Sequence, residues 1–227
     1  MILVNTSGVG VMLLIWHGHA CFEVRLRDGY TIAFDPHDGI SIGLKTPKFK
    51  ADLILVSHNH FDHNAIHIVR KPESLILDSF VGEKTIGNVR VKGILTYHDT
   101  RRGMLRGRNT IYLVEAENLR IAHLGDLGHT LDDKILNQLK PLEVLLTPVG
   151  GTFTIGPIEA WSIVEALEPK ITIPMHYRIP GLNLPLATVD EFLRHVKYPT
   201  KRVNSNSIEL EKEKIPKESE VWVLKPP

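Results

Sequence analysis

The stretch Ser57-His58-Asn59-His60-Phe61-Asp62-His63 sets three histidines and an aspartate in six positions, directly after the apolar run Leu53-Ile54-Leu55-Val56. Four apolar residues that stop at a polar cluster, rather than recurring at helical spacing, read as a short buried strand. A strand ending on such a loop is a sensible place for a metal, because the strand fixes the loop and the loop's side chains converge outside the sheet. Neutral imidazole and carboxylate are the ligands that zinc, iron and manganese take. His58 and His60 are two apart, so an extended backbone aims both to one side. Asp62 and His63 follow where the chain should turn into a helix, and they can face a second point a few ångströms away. An ordinary surface or core role suits the isolated His67 and His195; it does not suit this cluster.

His58-x-His60-x-Asp62-His63 after a hydrophobic strand resembles the signature of the metallo-β-lactamase superfamily of dinuclear metal hydrolases. The resemblance implies that later parts of the chain supply further ligands. It also fits the segment from Met12, Leu-Leu-Ile-Trp-His-Gly-His-Ala-Cys-Phe, which is similar to the way many members begin. Residues 1–11 are therefore expected to be an N-terminal extension, or Met12 to be the true start.

The chain has 227 residues, 43% of them hydrophobic, enough for one well-packed domain, and a single domain over 1–227 is expected. With 27 basic and 26 acidic residues the net charge is +1, so no global field argues for nucleic acid or a membrane surface. The single cysteine, Cys21, excludes an internal disulfide and fits a reducing compartment. It lies in an apolar alternating run and reads as a core residue. Met1 to Trp16 is apolar but has no basic n-region and no small-residue cleavage site, and it is too short and Gly-broken to span a bilayer. A cytoplasmic location is the expectation.

Val11 to Trp16 and Cys21 to Arg27 read as strands; in the second, Phe22, Val24 and Leu26 alternate with Glu23, Arg25 and Arg27, which suggests one wet face. Asp28-Gly29 is a hairpin turn signal, and Tyr30 to Phe34 returns. Further strands are expected at Leu53 to Val56, Leu75 to Leu77, Val89 to Leu95, Thr110 to Glu115, Leu119 to Leu124, Val144 to Leu146, Ile171 to Met175, Ile208 to Lys212 and Val221 to Leu224. Helices are expected over Asn64 to Val69, Leu131 to Leu139, from Pro157 to Pro169, and after the capping box Thr188-x-x-Glu191. Strands come first, then strands alternate with helices, with no linker between. That pattern is compatible with a layered α/β protein. The resemblance sharpens it to the four-layer αββα sandwich of the superfamily, two mixed β-sheets with helices on the outer faces.

Three later residues each close an apolar run as the first motif does: His98, Asp126 and His176. Carried over from the resemblance, His58, His60 and His98 would hold one metal, Asp62, His63 and His176 a second, and Asp126 would bridge them. Two divalent ions are implied, zinc first, with manganese or iron as alternatives. His123, three residues before Asp126, is the rival to His98; it reads as orienting a ligand through a ring N–H and, with Asp62, is carried as a candidate catalytic residue. Asp35 resembles a buried aspartate that braces the ligand loop, and His17 and His19 stand close to the floor of such a site. Arg101, Arg102, Arg106 and Arg108, directly after His98, could hold a phosphate or carboxylate by bidentate contacts. Gly150 to Thr154 would form an opposite wall, and Tyr177 would stabilise developing charge.

The activity implied is hydrolysis by a metal-held hydroxide of a small anionic ester, lactone or phosphodiester. Asp62 would hold the hydroxide in line or shuttle its proton. The overall pattern most resembles the small stand-alone hydrolases related to ascorbate-phosphate lactonase. The partner expected is a small molecule, with no nucleic acid and no membrane; self-association is left open. Two rivals from other classes are a non-catalytic metal-binding module and an oxygen-reactive di-iron protein.

Overall fold

The apolar runs that end in polar residues are strands, and in the computed structural model, which describes residues 11–227, they form two sheets. The expected extension over 1–11 lies, Val11 apart, outside the described residues. The first sheet contains β1 (Met12–Trp16), β2 (Phe22–Arg25), β3 (Thr31–Phe34), β4 (Ala51–Val56) and β5 (Arg70–Asp78). The second begins with β6 (Gly82–Ile86), β7 (Val89–Tyr97), β8 (Arg108–Ala116), β9 (Leu119–His123), β10 (Val144–Pro148) and β11 (Ile171–Met175). The chain then lays β12 (Thr200–Arg202) on the second sheet, β13 (Ser207–Leu210) on the first, and β14 (Glu220–Val223) on the second.

The orders are β13-β1-β2-β3-β4-β5 and β12-β14-β11-β10-β9-β8-β7-β6. Both sheets are mixed. In the first, β3, β4 and β5 run parallel while β1, β2 and β13 pair antiparallel; in the second, β9, β10, β11, β14 and β12 run parallel and β6 to β9 form a meander. The composition of each strand follows from this. β10 and β11 are buried at every position, as parallel strands covered on both faces must be, and they read as continuous apolar runs.

Between the sheets lies one large apolar cluster that includes Trp16, Phe22, Phe34, Leu53, Leu55, Ile111, Tyr112, Ile121, Leu146 and Ile173. Each large side chain fully buried there contributes roughly 1.5–3 kcal/mol. The outer face of the first sheet carries a smaller cluster of Ala33, Ala51, Ile54, Val56 and Val69, the last from the short helix α1 (Ile66–Val69). Helices α2 (Asp133–Leu139), α3 (Pro157–Leu167) and α4 (Val189–Leu193) pack in sequence and turn their apolar sides into the main cluster. The capping box at α4 is formed, with Thr188 N–H donating to Glu191 Oε1 at 3.2 Å. The result is the αββα sandwich. Among the described residues, no helix is long and apolar enough to cross a membrane.

Three segments depart from the sequence reading. β6 and β12 are strands whose residues are almost all exposed, and β5 starts at Arg70 rather than Leu75. All lie at or next to a sheet edge, where a solvated strand needs no apolar alternation. In β2, Glu23 is buried rather than wet: it accepts from Arg25 and pairs with His17 Nε2 at 3.0 Å.

Candidate metal centre

The ends of β3, β4, β7, β9 and β11 converge at one edge of the sandwich, and the residues just past them touch. Crevices outside the carboxyl ends of parallel strands are where open α/β sheets bind ligands. Backbone geometry is spent on this convergence. His19, Asp35 and His176 all adopt left-handed φ, 50°, 40° and 51°, a region that costs a non-glycine residue about 1–2 kcal/mol. Close approach also requires glycine: a Cβ on Gly150 would lie 2.1 Å from the His176 carbonyl oxygen, and one on Gly128 2.3 Å from the His98 carbonyl carbon.

Three groups of side chains result among the described residues, each offering one ligand atom per residue with all such atoms within 4.8 Å of one another; the third, Asp35, His58 and His63, takes one histidine from each of the other two. The first is His58, His60 and His98; the second is His19, Asp62, His63 and His176. Asp126 stands between them. Its Oδ2 is 3.1 Å from His98 Nε2, 3.8 Å from His58 Nε2 and 3.3 Å from His176 Nε2, and its Oδ1 is 3.3 Å from His63 Nε2. Nearly all of these side chains are buried, His60 alone being half-exposed.

Behind them is a set of braces. Asp35 Oδ1 accepts the Ser57 N–H at 2.7 Å, and its Oδ2 accepts the Ser57 hydroxyl at 2.6 Å and faces His63 Nδ1 at 2.9 Å. Ser57 Oγ in turn lies 2.9 Å from His58 Nδ1. These contacts leave the Nε2 atoms of His58 and His63 to face the cluster. Asn109, buried between Thr96 and the Leu124 carbonyl, accepts the Asp126 N–H at 2.9 Å and fixes that loop.

The donor set fits divalent cations. His63 Nε2, Asp126 Oδ1 and both ring nitrogens of His176 are buried with no hydrogen-bond partner. Each such orphan costs roughly 1–3 kcal/mol, which a coordinated cation would remove. Burial, reinforced by the neighbouring His63, pushes His58 down to about 3, so its imidazole is neutral with a free lone pair. Burial and the facing His176 likewise take His19 down to about 3. Burial would raise the Asp126 carboxyl, but the surrounding His176 and His63 hold it well below the usual range.

His63 is the exception. Burial alone would lower it, yet Asp126 and Asp62 hold it well above its ordinary value. A raised value means that the metal-free protein keeps this proton to higher pH than an ordinary histidine would. A cation must displace that proton, so metal affinity is expected to increase with pH through neutrality. Calorimetry in buffers of different ionisation enthalpy should find a proton released per metal-binding event; binding without release would refute this.

Several residues expected at the site are placed elsewhere. His17 stacks on Phe49 with ring centroids 4.6 Å apart and pairs with Glu23, because the Gly18 turn sends it away from the cluster. His19, expected only near the floor, stands in the second group, with Nε2 3.0 Å from Asp62 Oδ2. His123 has both nitrogens engaged by backbone, Nδ1 accepting from Gly125 N–H at 3.1 Å and Nε2 facing the Ala20 carbonyl at 2.9 Å. Both of its nitrogens thus meet backbone groups, one of them at the Gly125 turn. Tyr177 is buried against Trp16, centroids 5.4 Å apart, and lines a different cleft with Arg178 and Arg202.

Of the four arginines, Arg106 alone lines the cleft above the cluster. A cleft of about 330 Å³ opens over the centre, lined by His60, Asp62, His98 and Asp126 together with Phe61, Leu105, Arg106, Phe153 and Leu184. The arginine loop is folded around Asp99, which accepts the N–H groups of Arg101, Gly103, Leu105 and Arg106 at 2.7–3.0 Å. Ser57, Asn109, Phe61, Leu105 and Leu184 also stand at the centre or its cleft without being expected there from the sequence. The first adjoins the motif and was within reach; Leu184 lies in a loop without pattern and was not.

Comparison with known proteins agrees with this architecture. A family model described as a β-lactamase superfamily domain matches residues 13–176. A UPF0173 metal-dependent hydrolase from Methanopyrus kandleri is 32% identical over 194 residues, covering 73% of this chain and 84% of the relative. A candidate Zn-dependent hydrolase of the metallo-β-lactamase superfamily from Thermotoga maritima superposes with a TM-score of 0.78 at 36% identity, covering 95% of this chain and 100% of the other. A candidate metal-dependent hydrolase from Parabacteroides distasonis shares the fold at a TM-score of 0.69 and 19% identity, covering 95% of this chain and 94% of that one.

Proposed function

The chain belongs to the metallo-β-lactamase superfamily, and we propose on that footing that it cleaves a small anionic ester, lactone or phosphodiester at a dinuclear metal centre. It is a metal-dependent hydrolase of that superfamily. The observation that carries the dinuclear reading is Asp126, whose two oxygens face histidines of both ligand groups at 3.1–3.8 Å. His58, His60 and His98 would hold one cation, Asp62, His63 and His176, joined by His19, would hold the other, and Asp126 would be shared between them. The all-imidazole and carboxylate donor set suits zinc first, then manganese or iron. The one thiol, Cys21, is buried, its pKa pushed up by that burial, and it takes no part.

Two divalent ions supply Lewis acidity and bring a bound water's pKa from about 15.7 toward neutrality. The protein's own part is positioning. Asp35 and Ser57 keep the His63 and His58 rings aimed. Asp62 keeps its carboxylate ionised, because His63 and His19 outweigh the burial that would raise its pKa. Ionised and at the cleft floor, it accepts the hydrogen bond of the attacking water. Burial of the histidines excludes bulk water from behind the reacting group. A single cysteine, buried and in no disulfide, supports a location in the reducing cytoplasm.

The test is to strip metal with a chelator, assay a bis-aryl phosphodiester, an aryl ester and a lactone, then restore zinc, manganese or iron. Turnover is expected to vanish on stripping and return with metal, and His60→Ala is expected to lose both metal and turnover. A metal-free variant with full activity would sink the proposal. No hydrolysis with any metal would favour a binding module, and a visible absorption band after air exposure of the iron form an oxygen-reactive di-iron protein.

A further inference from the structure

We infer that the substrate of this site is an amphipathic anion, an acid or phosphate carrying a compact acyl or aryl group, seated with its anionic part on Arg106 and its apolar part between Phe61 and Leu105 on one wall and Phe153 and Leu184 on the other. This rests on the hydrolase reading above and goes beyond it by assigning the two walls of the cleft.

The apolar half of the argument is exposure. Phe61 is 60% and Leu105 61% exposed, and both line the cleft; Met104, beside Leu105 in the same loop, is 83% exposed. Singly, exposed apolar residues mean little. Gathered at the mouth of a cleft whose floor is polar, they mark a surface that something apolar covers. Leu105 is moreover held in place: its own N–H and those of Arg101, Gly103 and Arg106 are clamped by Asp99. A loop tied by four backbone bonds to one carboxylate presents its side chains in a set geometry.

The anionic half is Arg106. Its guanidinium carbon sits 5.7 Å from the centroid of the Phe153 ring, so the cation rests over the ring face. It lines the cleft and forms no salt bridge among the described residues, whereas Arg120 and Arg202 are paired. An unpaired, positioned guanidinium beside His98 and Asp126 is a fork for a carboxylate or phosphate. The cleft of about 330 Å³ is at the small end for ligand sites, so the apolar group is a short acyl chain or one ring.

The experiment uses the metal-loaded full chain and three probes, 4-phenylbutyrate, butyrate and 4-phenylbutan-1-ol, with affinities read by calorimetry. Wild type is expected to prefer phenylbutyrate to each of the other two by about fivefold or more, since one buried ring and one ion pair each carry that much. Arg106→Gln should abolish the preference for the acid over the alcohol, and Leu105→Ser should weaken the preference for phenylbutyrate over butyrate. Both side chains are exposed, and the loop's backbone bonds to Asp99 do not depend on them. A wild type without these preferences overturns the inference, as does an acid preference that survives Arg106→Gln, for the carboxylate then sits on metal instead. Metal content and hydrolysis of the generic esters are measured on the wild-type sample, where no residue of the cleft is changed. If these hold while the preferences fail, only the substrate class is wrong; if these fail, the hydrolase reading is.

Discussion

Asp126→Ala is expected to reduce hydrolysis by about a thousandfold or more, equivalent to roughly 4 kcal/mol of barrier, and to leave the protein with at most one weakly held cation. The expectation follows from where the carboxylate stands. Four imidazole nitrogens, from His58, His63, His98 and His176, lie 3.1–3.8 Å from its two oxygens. Among the described residues, Asp62 belongs to the second group, and Asp35, though near both His58 and His63, meets His63 at Nδ1 on the side away from Asp126. Without Asp126 two cations would face each other with less charge between them. Elemental analysis after dialysis and turnover of a phosphodiester are the readouts. A variant that keeps two tightly bound ions per chain would show that Asp126 does not bridge.

Gly125→Ala is expected to lower stability by about 2–4 kcal/mol, and the melting temperature by about 5–10 °C. Gly125 has φ +57°, and a Cβ there would lie 2.3 Å from Asn109 Oδ1 and 2.6 Å from Ser57 Cβ. Both neighbours are braces. Asn109 Oδ1 holds the Asp126 N–H, and Ser57 links Asp35 to His58. One methyl group would therefore disturb both ligand groups as well as the fold. Thermal melts with and without metal, together with metal affinity, test this; an unchanged melting temperature with intact affinity would contradict it.

The strand after strand that ends in a polar residue was readable because each is short, apolar and stops abruptly. Leu53 to Val56, Leu119 to His123 and Ile171 to Met175 are the clearest instances. The sandwich itself came from resemblance, since period and composition admit several layered folds. What eluded reading has two physical origins. Edge strands such as Gly82–Ile86 are wet on most sides and carry no periodic signal. Residues at strand ends turn by backbone angles that sequence does not display. The left-handed His176 sends Tyr177 under Trp16, and Gly18 at φ +92° separates His17 from His19, so one faces Glu23 and the other Asp62. Of four neighbouring arginines, the loop wound around Asp99 directs just Arg106 to the cleft.

The first and second ligand groups each draw on both sheets. His58 and His60 follow β4 of the first, while His98 follows β7 of the second; Asp62, His63 and His19 belong to the first, while His176 follows β11 of the second. A cation held by either group would thus be a staple across the sandwich, made of bonds that exist only while the two halves are docked. Its binding energy adds to the cohesion of the whole domain, growing as RT ln(1 + [metal]/Kd), about 4 kcal/mol at a thousandfold excess over Kd. Scarcity of metal would then silence the enzyme and loosen its two halves together, so that heat resistance itself reports how well supplied the chain is.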